Sequence, residues 1–280
     1  MGLIDFILNL AGLLFWLNWR AHGVAQRAHP PSISIATAIK ETDPLRGRHG
    51  FSLLALLGLL VVRSFFYWQI GSAMHWIPTL PLGAVALPFR SDHLSRMFAY
   101  SLLSFGVTLA VFYGWLVLLS LLDQREPAED GLRKMSRLHL GIAARAPYYL
   151  RLALPFLVGT LLWLVLVEPL AWLDILPRPV SLAQRGEQAM LIGASAYLGW
   201  KGLIVGVLVL HLLHSYVYLG RSPVWSFVTL TARQLLRPLE KLPLRAGRAD
   251  LTPLVGVALT FLLFEVLARA LAWLALRLPL

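Results

Sequence analysis

Cysteine is absent from the 280-residue chain, which excludes disulfides, thiolate metal sites, iron–sulfur ligation and a cysteine nucleophile. Charge is scarce as well. Asp, Glu, Lys and Arg make up 14% of the residues, against about 25% in an ordinary soluble domain. Acidic residues are the scarcer kind: 14 Asp plus Glu stand against 25 Lys plus Arg, for a formal net charge of +11. The chain also has no H-E-x-x-H, no G-x-S-x-G, no glycine-rich phosphate cradle and no acidic cluster. Those are the arrangements that would mark a metalloprotease, a serine hydrolase or a nucleotide-dependent enzyme. The expectation is therefore a protein without enzymatic activity and without a cofactor. Neither a basic n-region nor an A-x-A cleavage site opens the sequence, so residues 2–19 are expected to stay in the mature chain.

What the sequence does have is apolar length. Hydrophobic residues make up 58% and the mean hydropathy is +0.69. A hydrocarbon core about 30 Å thick is crossed by about 20 apolar residues in a helix. The segments 51–77, 97–122, 148–176, 190–219 and 252–276 meet that length. Segment 2–19 is shorter and carries Asp5, Asn9 and Asn18; it reads as a short sixth span or as a helix lying in the interface. Period-2 alternation is absent, and lipid demands that backbone polar groups be satisfied internally, so helices are the expected spanning elements. The fold class is all-α: a polytopic transmembrane helical bundle of five to six spans in a single membrane domain, 1–280, with amphipathic cytoplasmic loop helices.

The basic residues alternate along the chain. They crowd 20–50 (Arg20, Arg27, Lys40, Arg46, Arg48), 123–151 (Arg125, Arg133, Lys134, Arg137, Arg145, Arg151) and 220–251 (Arg221, Arg233, Arg237, Lys241, Arg245, Arg248). The intervening loops hold only Arg90 and Arg96 in 78–96, and Arg178 and Arg185 in 177–189. Positive residues stay on the cytoplasmic side of a membrane, so loops 20–50, 123–147 and 220–251 are expected in the cytoplasm. The expected location is the bacterial cytoplasmic (inner) membrane. The positive charge thus answers to topology and anionic lipid headgroups rather than to nucleic acid. Trp16, Trp19, Trp68, Trp76, Trp172, Trp225 and Trp273 fall near span ends, where amphipathic rings prefer to sit. Trp115, Trp163 and Trp200 lie deeper and read as packing residues.

Two stretches, 97–176 and 190–276, form a degenerate repeat. Each opens on a Met (Met97, Met190) and passes through a basic segment with an Arg near a Pro (Arg145/Pro147, Arg237/Pro238). Each has a Pro expected at the start of its second span (Pro155, Pro253), a Glu farther on (Glu168, Glu265) and a closing Leu-Ala-Trp-Leu. In the second copy, Thr229-Leu230-Thr231, Leu235-Leu236-Arg237-Pro238-Leu239 and Asp250-Leu251-Thr252-Pro253-Leu254 together resemble the YggT family. Thr252 stands where that family usually has Ser, and the turn 241–248 lacks the family's paired glycines. The resemblance covers about 220–270 well, and 123–170 in outline. It implies an integral membrane protein with a role in envelope organisation, ion or osmotic homeostasis, or assembly of membrane complexes. The family-motif residues here are Thr231, Arg237, Pro238, Asp250, Thr252 and Pro253.

The motif also has a physical reading. Asp250 is placed to cap a helix whose first turn holds Pro253. Segment 224–241 alternates apolar residues with Arg233, Arg237 and Lys241, a pattern compatible with an amphipathic helix on the headgroup layer. Its reading is either an anchor for the last hairpin or a docking surface for a partner membrane protein or anionic lipid.

Ionisable residues inside spans are costly and ask for a partner. Counting depth from the span ends pairs Arg63 with Glu265 and Lys201 with Glu168, as latches between helices or as a polar route for an ion. His211 and His214, three residues apart on one helical face, have the spacing of a metal or haem ligand pair, with interfacial hydrogen bonding as the simpler reading. The functional expectation is a scaffold, assembly or accessory factor for membrane complexes, its alternative a small ion or solute transporter.

Overall fold

The computed structural model describes residues 2–28, 44–122, 139–217, 222–239, 245–246 and 249–277. For 22–28, 44–49, 142, 245–246 and 249–250 it describes the backbone alone. Much of the basic segments, including Lys40, Arg125, Arg133, Lys134, Arg137, Arg221 and Lys241, lies outside the described residues, as do the side chains of Arg27, Arg46, Arg48, Arg245 and Asp250.

Helices dominate. They are α1 (Gly2–Ala28), α2 (Pro44–Met74), α3 (Leu94–Leu122), α4 (Tyr148–Trp172), α5 (Leu182–Ser195), α6 (Trp200–Tyr216), α7 (Pro223–Leu236) and α8 (Thr252–Arg277). Among the described residues six helical segments are long and apolar enough to cross a membrane: 2–21, 50–74, 94–122, 148–172, 182–216 and 252–277. The short N-terminal stretch therefore counts as a span by length and hydropathy. Helix α8 starts at Thr252 with Pro253 in its first turn, as the sequence leads one to expect, because a missing N–H costs nothing there. The corresponding position of the first repeat differs. Helix α4 starts at Tyr148, so Pro155 sits inside it and does not open a span.

The loop 78–96 holds a feature that helical reasoning passed over. Two four-residue strands, β1 (Thr79–Leu82) and β2 (Val85–Pro88), pair as a hairpin. Gly83 heads the two-residue turn with φ +66°, a conformation that only glycine adopts without penalty at that position. A second, two-residue ladder pairs Arg245 with Asp250 and Ala246 with Ala249 ahead of α8.

The chain divides into two compact units, residues 1–80 with 88–109, and residues 81–87 with 110–280. In the first, Leu56, Leu60 and Phe105 form a buried cluster with Phe15, Trp16 and Leu109 packed around it. In the second, α4 and α5 approach closely through Gly159 and Gly193; a Cβ on Gly159 would lie 3.0 Å from the Gly193 Cα. Small residues at a crossing let two backbones gain dispersion contact that lipid alone does not provide. Leu191, Leu271 and Ala275 form another cluster, against which the hairpin tip residues Ala84 and Val85 pack. Ser195, buried beneath that tip, accepts the Ala84 N–H at 3.4 Å.

The span 182–216 is not one continuous helix. Residues Ala196–Gly199 form a 3₁₀ turn between α5 and α6. Tightening a helix this way strands carbonyl groups, and a mid-helix 3₁₀ stretch persists where other donors serve them. Two indoles do so. Trp115 Nε1–H donates to the Gly199 carbonyl at 2.7 Å, and Trp200 Nε1–H donates to the Gly114 carbonyl at 2.9 Å. Tyr197 OH donates to the Leu152 carbonyl at 2.7 Å. Two of the deep tryptophans are thus hydrogen-bonding clamps on the interrupted span.

Candidate functional site: a buried guanidinium in the first unit

Three helices of the first unit each present a polar pair spaced i,i+4: Asp5 and Asn9 on α1, Arg63 and Tyr67 on α2, Tyr100 and Ser104 on α3. Residues four apart lie on the same helical face, so each helix turns both members of its pair toward one point. Arg63 occupies that point. Its side chain is 1% exposed. One terminal nitrogen, Nη1, donates to Asn9 Oδ1 at 2.6 Å; the other, Nη2, donates to Asp5 Oδ1 at 2.8 Å and to Ser104 Oγ at 3.1 Å. Asn9 Nδ2 in turn donates to Ser104 Oγ at 3.0 Å. The Asp5 carboxylate also accepts the Tyr67 hydroxyl and, at 3.2 Å, the Tyr100 hydroxyl.

Aromatic faces complete the enclosure. The Arg63 guanidinium carbon lies 5.2 Å from the Tyr67 ring centroid and 5.9 Å from that of Tyr100, distances at which a ring face attracts a cation. Trp76 meets both tyrosines edge-on, and Phe89 meets Tyr100. A guanidinium withdrawn from water needs a carboxylate, further acceptors and a polarisable wall to be tolerated. Here all three are supplied by one chain. Only Nε of Arg63 is left without an acceptor.

The pairing differs from the one expected by depth. Arg63 takes Asp5 rather than Glu265. Glu265 pairs with Arg269 on its own helix at 2.9 Å. Glu168 pairs with Arg185 at 2.5 Å, and Lys201 lies over the Phe261 ring, its ammonium 4.7 Å from the centroid. Counting residues from helix ends gives depth but not rotation about the helix axis, and rotation decides who meets whom. The i,i+4 coincidence of three polar pairs was the available sequence signal, marking which residues share a helix face but not which helices meet.

The remaining candidates are dispersed. Thr231 is buried on α7, whose Val228, Ala232 and Leu236 pack against Val207 and Leu208 of α6, with Val257 of α8 alongside. Much of the apolar side of this helix is thus covered by protein. Arg233 and Arg237 are exposed, Arg237 and Pro238 lying in the turn after α7. Thr252 and Pro253 begin α8, and Pro253 is buried. The carboxylate of Asp250 lies outside the described residues, so its capping role does too. His214 stacks on Trp225 with ring centroids 5.2 Å apart and planes 7° from parallel, and His211 lies on the same helix. Among the described residues no group of three or more His, Asp or Glu gathers to hold a metal.

Two open spaces bear on function, both in the second unit. One is a crevice of about 30 Å³ beside Trp163 and Gln188, enough for about one water molecule. The other is a groove of about 670 Å³, open at the side, running past Lys201 and the 3₁₀ turn. No family model, no curated protein and no solved structure matches this chain.

Proposed function

We propose that this chain is a YggT-like, non-enzymatic protein of the bacterial cytoplasmic membrane that serves as a scaffold, assembly or accessory factor for other membrane complexes. The observation that carries the proposal is the enclosure of Arg63. A transported ion or proton needs a hydrated path along its polar groups, whereas the guanidinium is 1% exposed and bonded to Asp5, Asn9 and Ser104. Its chemistry is that of a latch joining three helices. Large exposed apolar residues cover most of the helices, among them Leu54, Val165 and Leu263, and they give the protein broad surface for lipid and for other membrane proteins. The exposed Arg233 and Arg237 at the end of α7, with the basic segments around them, fit a cytoplasmic face that meets anionic headgroups or an acidic partner surface.

The second reading, a small transporter, draws on one specific feature: an interrupted helix beside an open groove that contains Lys201. Interrupted helices line substrate sites in many transporters. Two experiments separate the readings. Charge reversal at Arg233 and Arg237 removes recovery of co-purifying membrane subunits in mild detergent, with insertion and protein level unchanged, if the scaffold reading holds. Ion or solute flux into proteoliposomes of the pure protein, lost in Lys201→Met, defeats it in favour of transport.

A further inference from the structure

Helix α8 presents Phe261, Glu265 and Arg269 one turn apart along one side. Glu265 is thirteen residues from Thr252 and twelve from Arg277, at the middle of the helix. Its side chain is 52% exposed and that of Arg269 is 80% exposed. Charged groups in spanning helices face protein or water rather than hydrocarbon, so an ion pair on the outside of a span marks a face that something covers. Beside it runs the open groove, lined by Val111, Trp115, Gly202, Gly206 and Phe261 around Lys201. Among the described residues no carboxylate pairs with Lys201; its ammonium rests on the Phe261 ring. Gly202 and Gly206 form a G-x-x-x-G on the groove floor, the spacing that lets a second helix backbone approach. A Cβ on Gly206 would have nothing within 4 Å among the described residues, so their packing does not call for glycine there.

We infer that this face of α6 and α8 is the interface between two copies of the chain, with Lys201 of each copy meeting Glu265 of the other. The geometry is self-complementary. Two copies inserted with the same orientation are related by an axis along the membrane normal, so residues at similar depth face each other. Glu265 lies one turn, about 6 Å, along α8 from Phe261, and Lys201 sits over Phe261. A lysine stem spans that offset. Swapping the contact gives each half-buried ammonium a carboxylate and removes both ion pairs from lipid. A partner of another kind has to bring its own mid-membrane carboxylate; a second copy already carries it. The assignment holds for either functional reading.

Because the chain has no cysteine, a disulfide-linked dimer of a single-cysteine variant, recognised by its doubled mass, joins the introduced thiols of two copies. Ala258→Cys, on the same side of α8, is expected to form a disulfide-linked dimer rapidly under mild oxidation in native membranes, whereas Val165→Cys on α4, 70% exposed, stays uncross-linked. In lipid vesicles, Lys201→Met and Glu265→Gln are each expected to weaken dimerisation about tenfold, and the double variant to be no weaker than either single one, because both remove one contact. Monodispersity and tryptophan fluorescence check that the variants fold; the cross-linking arm leaves both charges in place. Equal cross-linking of Ala258→Cys and Val165→Cys overturns the inference. So does a dimerisation constant unmoved by Lys201→Met, or a chain that stays monomeric and joins only a different subunit through this face.

Discussion

Removing the carboxylate of Asp5 tests how the first unit is held together. In Asp5→Leu the Arg63 guanidinium keeps Asn9 Oδ1, Ser104 Oγ and two tyrosine rings, but it loses its only counter-charge among the described residues. Breaking a buried ion pair from one side costs about 3–5 kcal/mol in soluble proteins. Asp5 is 17% exposed, so some solvent relief is available and about 3 kcal/mol is the expected loss. For a chain of this size that corresponds to a fall in Tm of roughly 6–12 °C. Arg63→Met is expected to cost less, because the Asp5 carboxylate retains the Tyr67 and Tyr100 hydroxyls and lies near the end of α1. The double variant, with neither charge, is expected to be within about 1 kcal/mol of the parent, since an apolar replacement of a whole buried pair is often neutral. Thermal unfolding of the four proteins in one detergent, followed by tryptophan fluorescence, closes this cycle. Additive losses, with the double variant worse than either single one, would refute the account of a coupled latch.

Three further outcomes follow from the same structure. Reporter tags placed in 123–138 and at 240–244 should read cytoplasmic, and tags at 91–93 and 177–180 external; a cytoplasmic signal from 177–180 would overturn the orientation taken from the charge pattern. Gly159→Leu should push α4 from α5, because even a Cβ there sits 3.0 Å from the Gly193 Cα; overpacking of this kind costs about 1–3 kcal/mol, and an unchanged melting temperature would show that the crossing is loose. Trp115→Phe keeps the ring but removes the donor to the Gly199 carbonyl, so amide exchange should quicken selectively around 196–203 with a stability loss of about 1 kcal/mol; uniform exchange across α5 and α6 would mean that the indole does not hold the break.

By itself, the sequence determined that this is a helical membrane protein, roughly where five of its spans lie and where α8 begins. Those features follow from local quantities. Apolar run length sets a span, and a Pro three residues after Asp250 sets a helix start. It also carried the latch in a form that counting depth overlooked: Asp5/Asn9, Arg63/Tyr67 and Tyr100/Ser104 are all spaced i,i+4. Tertiary structure alone decided which charges meet, because rotation of one helix against another is set by packing, by residues such as Gly159 and Gly193. The same holds for the 79–88 hairpin, where Ser195, far along the chain, receives the Ala84 N–H, and for the 3₁₀ interruption at 196–199, whose Gly199 carbonyl is taken up by the distant Trp115 indole. A helix of continuous apolar residues reads as unbroken until a distant donor reaches its backbone.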